Sequence, residues 1–519
     1  MSFSLQPGTL ARVDHRMQFV LGPRYYEGFD NWRRSEIAGG RYLTSHPDLS
    51  VTTVAERSVT ITLLGYILDP EAPESGNEEI LTRLASSLAE GADVFAALAG
   101  YGGRYLLVAD AGAPLIVSDP VGTMQLLYTV VDDEIWCAAQ PHLLQELFDL
   151  PDDPEALAFM DFVKSETDEH SWPADATNVR GLSRLLPNHY LDLVSHQVLR
   201  YWPRAENVEG DLEELRPKIV ARLQNLMAAA ATRFPLAIGV SAGYDSRIIL
   251  AASREVSHEV VYYTGQGGHR GASHPDIAIP REMLAELGLN HDLIVTREEP
   301  APEFAAVYRR SVSFHHEKRI PGQQTQLDHY RLGRVAVLGN TSEIARRALR
   351  NSRRAPPLLG WPSAEHLSLL MAMPHPFAVK HFQRWLDGVG DLHGHDILDL
   401  FFWEHRNGMW FSHNCSQFML GWRDVFMPFN CRALISDMLS VPAAERADMG
   451  KTFYISLARQ MWPEVLEYSI NPKSKVAELR TLAYRSLRNI KRTLFPKRRR
   501  LRPSQEGNSP VQDGTNRLT

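Results

Sequence analysis

Cysteine is scarce in this chain of 519 residues, which contains only three. They are Cys137, Cys415 and Cys431, an odd number whose spacing matches no metal-binding pattern. This scarcity argues against a disulfide-stabilised secreted fold and predicts free thiols in a reducing compartment.

The chain also lacks a strong excess of charge of either sign and a long apolar run. Its 55 Lys and Arg stand against 62 Asp and Glu, a formal net charge of -7 that favours no nucleic-acid partner. The most apolar region, 358–379, is interrupted by Pro362, Pro374 and Pro376 and so does not read as a transmembrane segment. Charged residues are scattered through residues 1–20, where a signal peptide would need an apolar core. We therefore expect a cytoplasmic protein.

What the chain does contain is a hydrophobic fraction of 44%, enough for two or three packed domains. Its first part has short strand-like segments between turns, with a helical pattern over Glu78–Leu88, and is predicted to be an α+β layered domain. The predicted strands are Val59–Leu64, Gly103–Ala109, Pro114–Ser118 and Gln125–Val131.

From about residue 204 the pattern becomes an alternation of helices and apolar strands, which predicts a parallel sheet with helices on its faces. The predicted strands are Pro235–Val240, Glu259–Thr264, a run around Ile294 and Val335–Leu338; the predicted helices are Leu215–Thr232, Ile248–Ala252 and Ile277–Leu287. The segment 396–462 is predicted to be mostly helical. A basic amphipathic helix is expected over 476–503, followed by a polar, disordered tail over 504–519.

One short segment between a predicted strand and a predicted helix has the composition of an anion site. It is Ser241-Ala242-Gly243-Tyr244-Asp245-Ser246. Backbone N–H groups and the helix dipole attract an anion there, the serine hydroxyls can donate to phosphate oxygens, and Asp245 can hold a divalent cation. Gly243 permits close approach of the backbone. An ordinary tight turn is the alternative. Arg247 is expected on the helix surface, with contact to phosphate as its alternative.

Strand, Ser-x-Gly-x-Asp-Ser and helix together resemble the pyrophosphate loop of the ATP pyrophosphatases, and especially the asparagine synthetase family. Tyr262-Tyr263-Thr264-Gly265 resembles that family's second strand, and His274-Pro275-Asp276 its next segment. Leu338-Gly339-Asn340-Thr341-Ser342-Glu343 falls where the family has a second glycine-rich acidic loop. Asn340 and Thr341 depart from the family's Glu and Gly, so of this loop only Gly339 and, less directly, Glu343 correspond.

The resemblance implies binding of ATP and Mg²⁺. Asp245 and Glu343 would be the metal ligands, and Asp245 and Lys473 the catalytic residues, with Lys475 an equal alternative to Lys473. The residues implied to contact the nucleotide are Val240, Ser241, Gly243, Asp245, Ser246, Thr264, Leu338 and Gly339.

The first part of the chain resembles the class II glutamine amidotransferase domain of the same family, an Ntn-type αββα sandwich. The resemblance rests on Gly103-Arg104-Tyr105, Ser118–Gly122 and Ile135–Ala139. That family's nucleophile is a cysteine directly after the initiator Met, and here Ser2 stands in its place. Leu64-Gly65-Tyr66-Ile67 replaces its Asn-Gly-Glu segment. We therefore predict an inactive first domain, as in relatives such as β-lactam synthetase and lasso-peptide cyclases.

The predicted architecture is an Ntn-type domain over 1–203 and a doubly wound, adenine nucleotide alpha hydrolase-like ATP pyrophosphatase domain over 204–475. The implied activity is a carbon–nitrogen ligase that adenylates a carboxylate, releases pyrophosphate and transfers the acyl group to an amine or ammonia. Its partners would be a small-molecule or peptide carboxylate and an amine donor. A catalytically silent nucleotide-binding scaffold is the alternative. For the basic helix over 476–503, the expected arrangement is docking of its apolar stripe on the second domain with its charges facing water. Weak contact with an anionic surface is the alternative.

Overall fold

A computed structural model describes residues 7–166, 171–267 and 271–472. The predictions for Ser2, Lys473 and the segment 476–519 lie outside these residues. The helices are α1 Pro7–Val13, α2 Asn77–Ala89, α3 Val94–Leu98, α4 Pro141–Phe148, α5 Pro154–Glu166, α6 Leu212–Arg233, α7 Tyr244–Ala252, α8 Pro275–Glu286, α9 Pro302–Ser311, α10 Ile320–Tyr330, α11 Ala364–Leu370, α12 Pro376–Asp387, α13 Ile397–Phe401, α14 Ser412–Phe418, α15 Arg432–Leu439 and α16 Lys451–Met461. A π-helix spans Phe402–Phe411, and a 3₁₀ segment spans Asn340–Arg346.

The strands form three sheets. They are β1 Phe19–Gly22, β2 Arg33–Ile37, β3 Arg41–Ser45, β4 Val51–Glu56, β5 Val59–Leu68, β6 Gly102–Asp110, β7 Leu115–Ser118, β8 Leu127–Val131, β9 Glu134–Ala138, β10 Ser183–Arg184, β11 His189–Asp192, β12 Val198–Arg200, β13 Leu236–Gly239, β14 Val261–Gln266, β15 His291–Val295, β16 Val335–Val337 and β17 Asp424–Phe426. Two six-stranded sheets have the orders β10-β8-β9-β1-β3-β2 and β12-β11-β7-β6-β5-β4, and their pairs are antiparallel.

The two antiparallel sheets share one core, because alternate residues of each strand point to opposite faces. Leu106 and Val108 of β6 belong to the same buried cluster as Phe19 of β1. The intervening Leu107 instead joins a second cluster with α2 and α3. Helix α4 packs on the outer face of the other sheet, against Trp136 and neighbouring residues. The α+β layered arrangement predicted for this part is confirmed, with a helix layer outside each sheet.

The third sheet is parallel and has the order β15-β14-β13-β16-β17, which confirms the parallel sheet predicted from the alternating pattern. The chain proceeds from β13 outward to β15 and then returns to form β16 on the other side of β13. Helices cover both faces: Leu236 and Ile238 pack in a cluster with α6 and α16, whereas Ala237 lies in the cluster of the π-helix. The loops after β13 and β16 therefore leave the sheet in opposite directions, which is where open α/β sheets bind ligands.

Several elements were not predicted. Strands β1 to β3 precede the region in which strands were expected, and β17 is a three-residue strand inside the segment predicted to be mostly helical. The described chain up to Ile470 forms one compact unit, and the boundary predicted at 203–204 lies between β12 and α6 and stays a prediction. Among the residues that the structure describes, none of the helices combines the length and apolarity needed to cross a membrane.

All three cysteines are buried free thiols, as the sequence predicted. Cys137 lies in β9, between β1 and β8. Burial raises the pKa of this thiol to about 12. A thiol with such a pKa is not a nucleophile near neutral pH.

Candidate functional site

The predicted anion loop leaves β13 at the carboxyl edge of the parallel sheet and enters α7. Gly243 is the N-cap of α7, with φ -83 and ψ 165, so its backbone conformation does not itself require glycine. The following residues, Tyr244, Asp245 and Ser246, form the first turn, whose N–H groups have no partner within the helix. The predicted strand and helix are confirmed on either side of the loop, but α7 begins at Tyr244, four residues before the predicted start at Ile248.

The loop after β16 packs directly on the first turn of α7. A Cβ atom on Gly339 would lie 3.1 Å from Asp245 Cβ and 3.3 Å from the backbone oxygen of Asp245. No side chain fits between the two segments without displacing one of them. Gly339 is therefore a glycine because of close approach, and it brings the second predicted loop next to the first.

The two serines of the first loop form a hydrogen-bonded network. Ser241 Oγ and Ser246 Oγ lie 3.0 Å apart, and Ser246 Oγ donates to the backbone oxygen of Ser241 at 3.0 Å. The N–H group of Ser241 donates to Ser246 Oγ at 3.1 Å, and that of Gly243 to Ser241 Oγ at 3.2 Å. Two hydroxyls and two N–H groups thus converge within one turn, and an oxyanion can take over these donors.

The carboxylate of Asp245 is engaged by the second loop. Its Oδ1 accepts a hydrogen bond of 2.6 Å from Ser342 Oγ and another from Arg346 Nη2. Arg346 is 13% exposed, and Asp245 is 37% exposed. The guanidinium carbon of Arg346 lies 4.9 Å from the ring centroid of Tyr454. The side chain that was predicted to bind a cation therefore already faces one, supplied by the protein.

Val240, directly after β13, and Thr264, in β14, are joined by a hydrogen bond. The hydroxyl of Thr264 donates to the backbone oxygen of Val240 at 2.8 Å. His291 Nε2 lies 2.8 Å from the same hydroxyl. A neutral His291 with its hydrogen on Nε2 would donate to the Thr264 hydroxyl and leave the hydrogen of that hydroxyl for Val240. Burial lowers the pKa of His291, which favours this neutral form.

The two predicted metal ligands come from the two neighbouring loops. Asp245 lies on α7, and Glu343 lies in the 3₁₀ segment that begins at Asn340. Within residues 7–472, leaving aside the two undescribed gaps, no group of three or more His, Cys, Asp or Glu side chains is placed to hold a metal. Mg²⁺ prefers six oxygen ligands and is often held by one or two carboxylates with phosphates and water. The metal-binding roles of Asp245 and Glu343 stay predictions.

The structure brings together Val240, Ser241, Gly243, Asp245, Ser246, Thr264 and Gly339, with Leu338 directly after β16. Sequence reasoning missed Ser342, Arg346 and Tyr454, which contact the site from remote parts of the chain. It also gave no role to Asp276, whose Oδ1 accepts from the N–H group of Ala242 at 3.3 Å. Asp276 could have been found from the sequence, because it belongs to the His274-Pro275-Asp276 segment that resembles the family.

Both expectations for Arg247 are wrong. Its side chain is buried, with 1% of the residue exposed, and it does not lie on the helix surface. Its guanidinium donates to backbone oxygens of Val465, Tyr468 and Ser469 and so points away from the loop. Desolvation lowers the pKa of Arg247 to about 10. The arginine anchors the segment after α16 to α7.

The segment at the place of the family's Asn-Gly-Glu motif is part of the packing between sheets. Gly65 has φ +97, and its Cβ would lie 2.2 Å from the backbone oxygen of Arg104. The Tyr66 hydroxyl donates to the backbone oxygen of Val425 in β17 at 2.6 Å. Tyr66 is buried and therefore links the second antiparallel sheet to the parallel sheet.

No protein-family model matches the chain, and no curated protein matches it. Solved structures with some similarity include NMN synthetase from Francisella tularensis, at 16% identity and a TM-score of 0.20, covering 38% of this chain and 94% of that one. Another is an NH3-dependent NAD synthetase from Campylobacter jejuni, at 14% identity and a TM-score of 0.18, covering 32% and 77%. A third is glutamine phosphoribosylpyrophosphate amidotransferase from B. subtilis, at 10% identity and a TM-score of 0.21, covering 59% and 67%. Neither the fold nor the activity is inferred from them.

Proposed function

We propose that this chain is an ATP-dependent carbon–nitrogen ligase of the asparagine synthetase-like type. ATP would bind with its diphosphate on the loop Ser241–Ser246 and its adenine beside Val240, Thr264 and Gly339. The observation that supports this most strongly is the convergence of two serine hydroxyls with the N–H groups of Ser241 and Gly243, directly before α7. This convergence lies at the carboxyl edge of a parallel sheet, where the strand order reverses.

In the proposed reaction, an oxygen of a substrate carboxylate attacks the α-phosphorus of ATP. The bond to the β-phosphate oxygen breaks, pyrophosphate leaves, and an acyl-adenylate forms. An amine or ammonia then attacks the acyl carbon, AMP leaves, and the amine loses a proton as the amide forms. The loop would hold the departing pyrophosphate, because its donors meet the negative charge that develops there.

Two further groups belong to the proposal. Mg²⁺ bound with the nucleotide would neutralise phosphate charge, with Asp245 and Glu343 as its protein ligands. Lys473, or Lys475 in its place, would supply a positive charge near the leaving group; both lie outside the described residues. The acid would be a small molecule or a peptide, and ammonia or an amine would replace glutamine as the nitrogen source.

The test is exchange of labelled pyrophosphate into ATP in the presence of candidate carboxylic acids. We expect exchange with at least one acid, and its loss in Asp245→Ala. Asp437→Ala is the matched control, since Asp437 is also partly exposed and pairs with an arginine, but with Arg222 of α6. Exchange by the wild type that survives in Asp245→Ala would contradict the role of the loop.

A silent nucleotide-binding scaffold is the second candidate. It is favoured by one observation: the Asp245 carboxylate is paired with Arg346 in a loop that lacks the family's Glu and Gly. Binding of ATP without exchange for any acid would support the scaffold over the ligase. The inactive first domain is tested separately, by incubation with glutamine; release of glutamate would contradict it.

A further inference from the structure

The cation that faces the predicted metal ligand Asp245 is an arginine from the second loop. Arg346 Nη2 donates to Asp245 Oδ1 and lies 3.3 Å from Ser342 Oγ, which donates to the same carboxylate oxygen. The guanidinium therefore balances the carboxylate without a metal ion.

Arg346 is fixed in this position by its surroundings. Its guanidinium carbon lies 4.9 Å from the ring centroid of Tyr454, an arrangement that attracts a cation to the ring face. Tyr454 is 1% exposed, and its hydroxyl donates to the backbone oxygen of Ser342. The ring, Ser342 and Arg346 thus form one packed group, and the arginine is not a freely moving surface side chain.

The same guanidinium has donor capacity left over. It carries five N–H hydrogens. Its Nε atom is buried and has no hydrogen-bond partner in the described part of the chain. A buried donor without a partner costs free energy, and an oxyanion placed beside it would remove that cost. The loop Ser241–Ser246 lies next to this guanidinium, because Arg346 Nη2 donates to Asp245, a residue of that loop.

We propose that Arg346 is the resident cation of the diphosphate site. In the free protein it pairs with Asp245; when a nucleotide or pyrophosphate binds, its guanidinium donates to the diphosphate oxygens. This inference rests on the proposed function, and it adds a residue for which that function gives no role. It follows that the site retains affinity for pyrophosphate in the absence of a divalent metal.

The experiment is calorimetric titration of inorganic pyrophosphate, and separately of ATP, into the full chain, each once with EDTA and once with Mg²⁺. We expect the wild type to bind in both solutions. In EDTA, Arg346→Met should bind about 10- to 100-fold more weakly, the equivalent of losing one or more hydrogen bonds from a charged donor. Arg346→Gln, which keeps two N–H donors without the charge, should lose at least about tenfold by the same reasoning.

Arg350→Met is the matched control, since Arg350 lies four residues after Arg346 but pairs with Asp396. It should bind like the wild type, and a thermal melt of each variant shows whether it is folded. One result would overturn the role of Arg346 and leave the proposed function standing: the wild type binds pyrophosphate and ATP with Mg²⁺, but does not bind pyrophosphate in EDTA. Equal affinity of wild type and Arg346→Met in EDTA does the same. Wild-type protein that binds neither ligand in either solution overturns the proposed function itself.

Discussion

The contact between the two loops makes a sharp prediction for Gly339. In Gly339→Ala the new Cβ would lie 3.1 Å from Asp245 Cβ, 3.3 Å from the Asp245 backbone oxygen and 3.3 Å from Ile249 Cγ1. Ordinary contacts of a carbon atom begin near 3.5 Å, so the second loop has to move by a few tenths of an ångström. Overpacking of this kind costs about 1–3 kcal/mol.

A second effect acts in the opposite direction. Replacing glycine by alanine restricts the unfolded chain and stabilises the folded protein by about 0.4–1 kcal/mol where the conformation is allowed. At Gly339 the backbone has φ -94 and ψ 0, which alanine can adopt with little strain. The difference of the two effects is a loss of about 0–2.6 kcal/mol in the free energy of unfolding, or about 1.3 kcal/mol at the midpoints of the two ranges.

Gly388 offers a matched control because its backbone is almost the same, with φ -97 and ψ 1. There the nearest atoms to a new Cβ are backbone oxygens at 3.7 Å, an ordinary contact. Gly388→Ala should therefore gain about 0.4–1 kcal/mol. Urea unfolding followed by circular dichroism measures both. Pyrophosphate affinity should fall only in Gly339→Ala; a Gly339→Ala protein as stable and as tightly binding as Gly388→Ala would refute the contact between the loops.

Three further predictions concern buried groups. Glu404 is 0% exposed and accepts hydrogen bonds from Arg200, Asn188 and Trp385. In urea titrations, Glu404→Gln should therefore lose about 3–5 kcal/mol of unfolding free energy, whereas Glu155→Gln, at an exposed ion pair, should lose less than about 1 kcal/mol. Similar losses in the two variants would contradict the buried network. Burial lowers the pKa of His405 to about 3, against about 6.5 in the unfolded chain. The unfolded state therefore gains a proton at this residue as the pH falls below 6.5, and the folded protein loses stability. In His405→Asn the stability lost between pH 7 and pH 5 should shrink by about 2 kcal/mol, and an unchanged loss would show that His405 is not buried in its neutral form. Cys137 should resist alkylation in native buffer and react after unfolding, as mass spectrometry can show; rapid native labelling would contradict its place in the sheet.

The parallel sheet could be predicted because its central strands are buried on both faces and appear in sequence as short continuous apolar runs. Pro235–Val240 and Val335–Leu338 are such runs, and the structure has β13 and β16 there. By contrast, β2 is Arg-Arg-Ser-Glu-Ile at a sheet edge, largely exposed, and has no apolar pattern. Strand β17 has only three residues, too few to show a period. These strands are defined by their partners in the sheet.

In the candidate site, too, some residues could be predicted from the sequence and others could not. Ser241, Asp245 and Ser246 are close in sequence and could be predicted, since their spacing places them on one turn between a strand and a helix. Arg346 bonds to Asp245 across 101 positions, and Tyr454 bonds to Ser342 across 112. No local pattern marks such pairs, because each joins segments that only the fold brings together. Asp245 follows β13, Ser342 and Arg346 follow β16, and Tyr454 lies on α16, after β17. The sequence therefore predicted the loop and its residues, and the cation beside them emerged only from the fold.

The most direct test of the central claim is a crystal structure of the chain with a non-hydrolysable ATP analogue and Mg²⁺. We predict that the diphosphate oxygens lie within hydrogen-bond distance of the Ser241 and Ser246 hydroxyls and the first-turn N–H groups of α7. A nucleotide bound elsewhere, or a loop that keeps its internal Ser241–Ser246 hydrogen bonds at saturating nucleotide, would contradict the account.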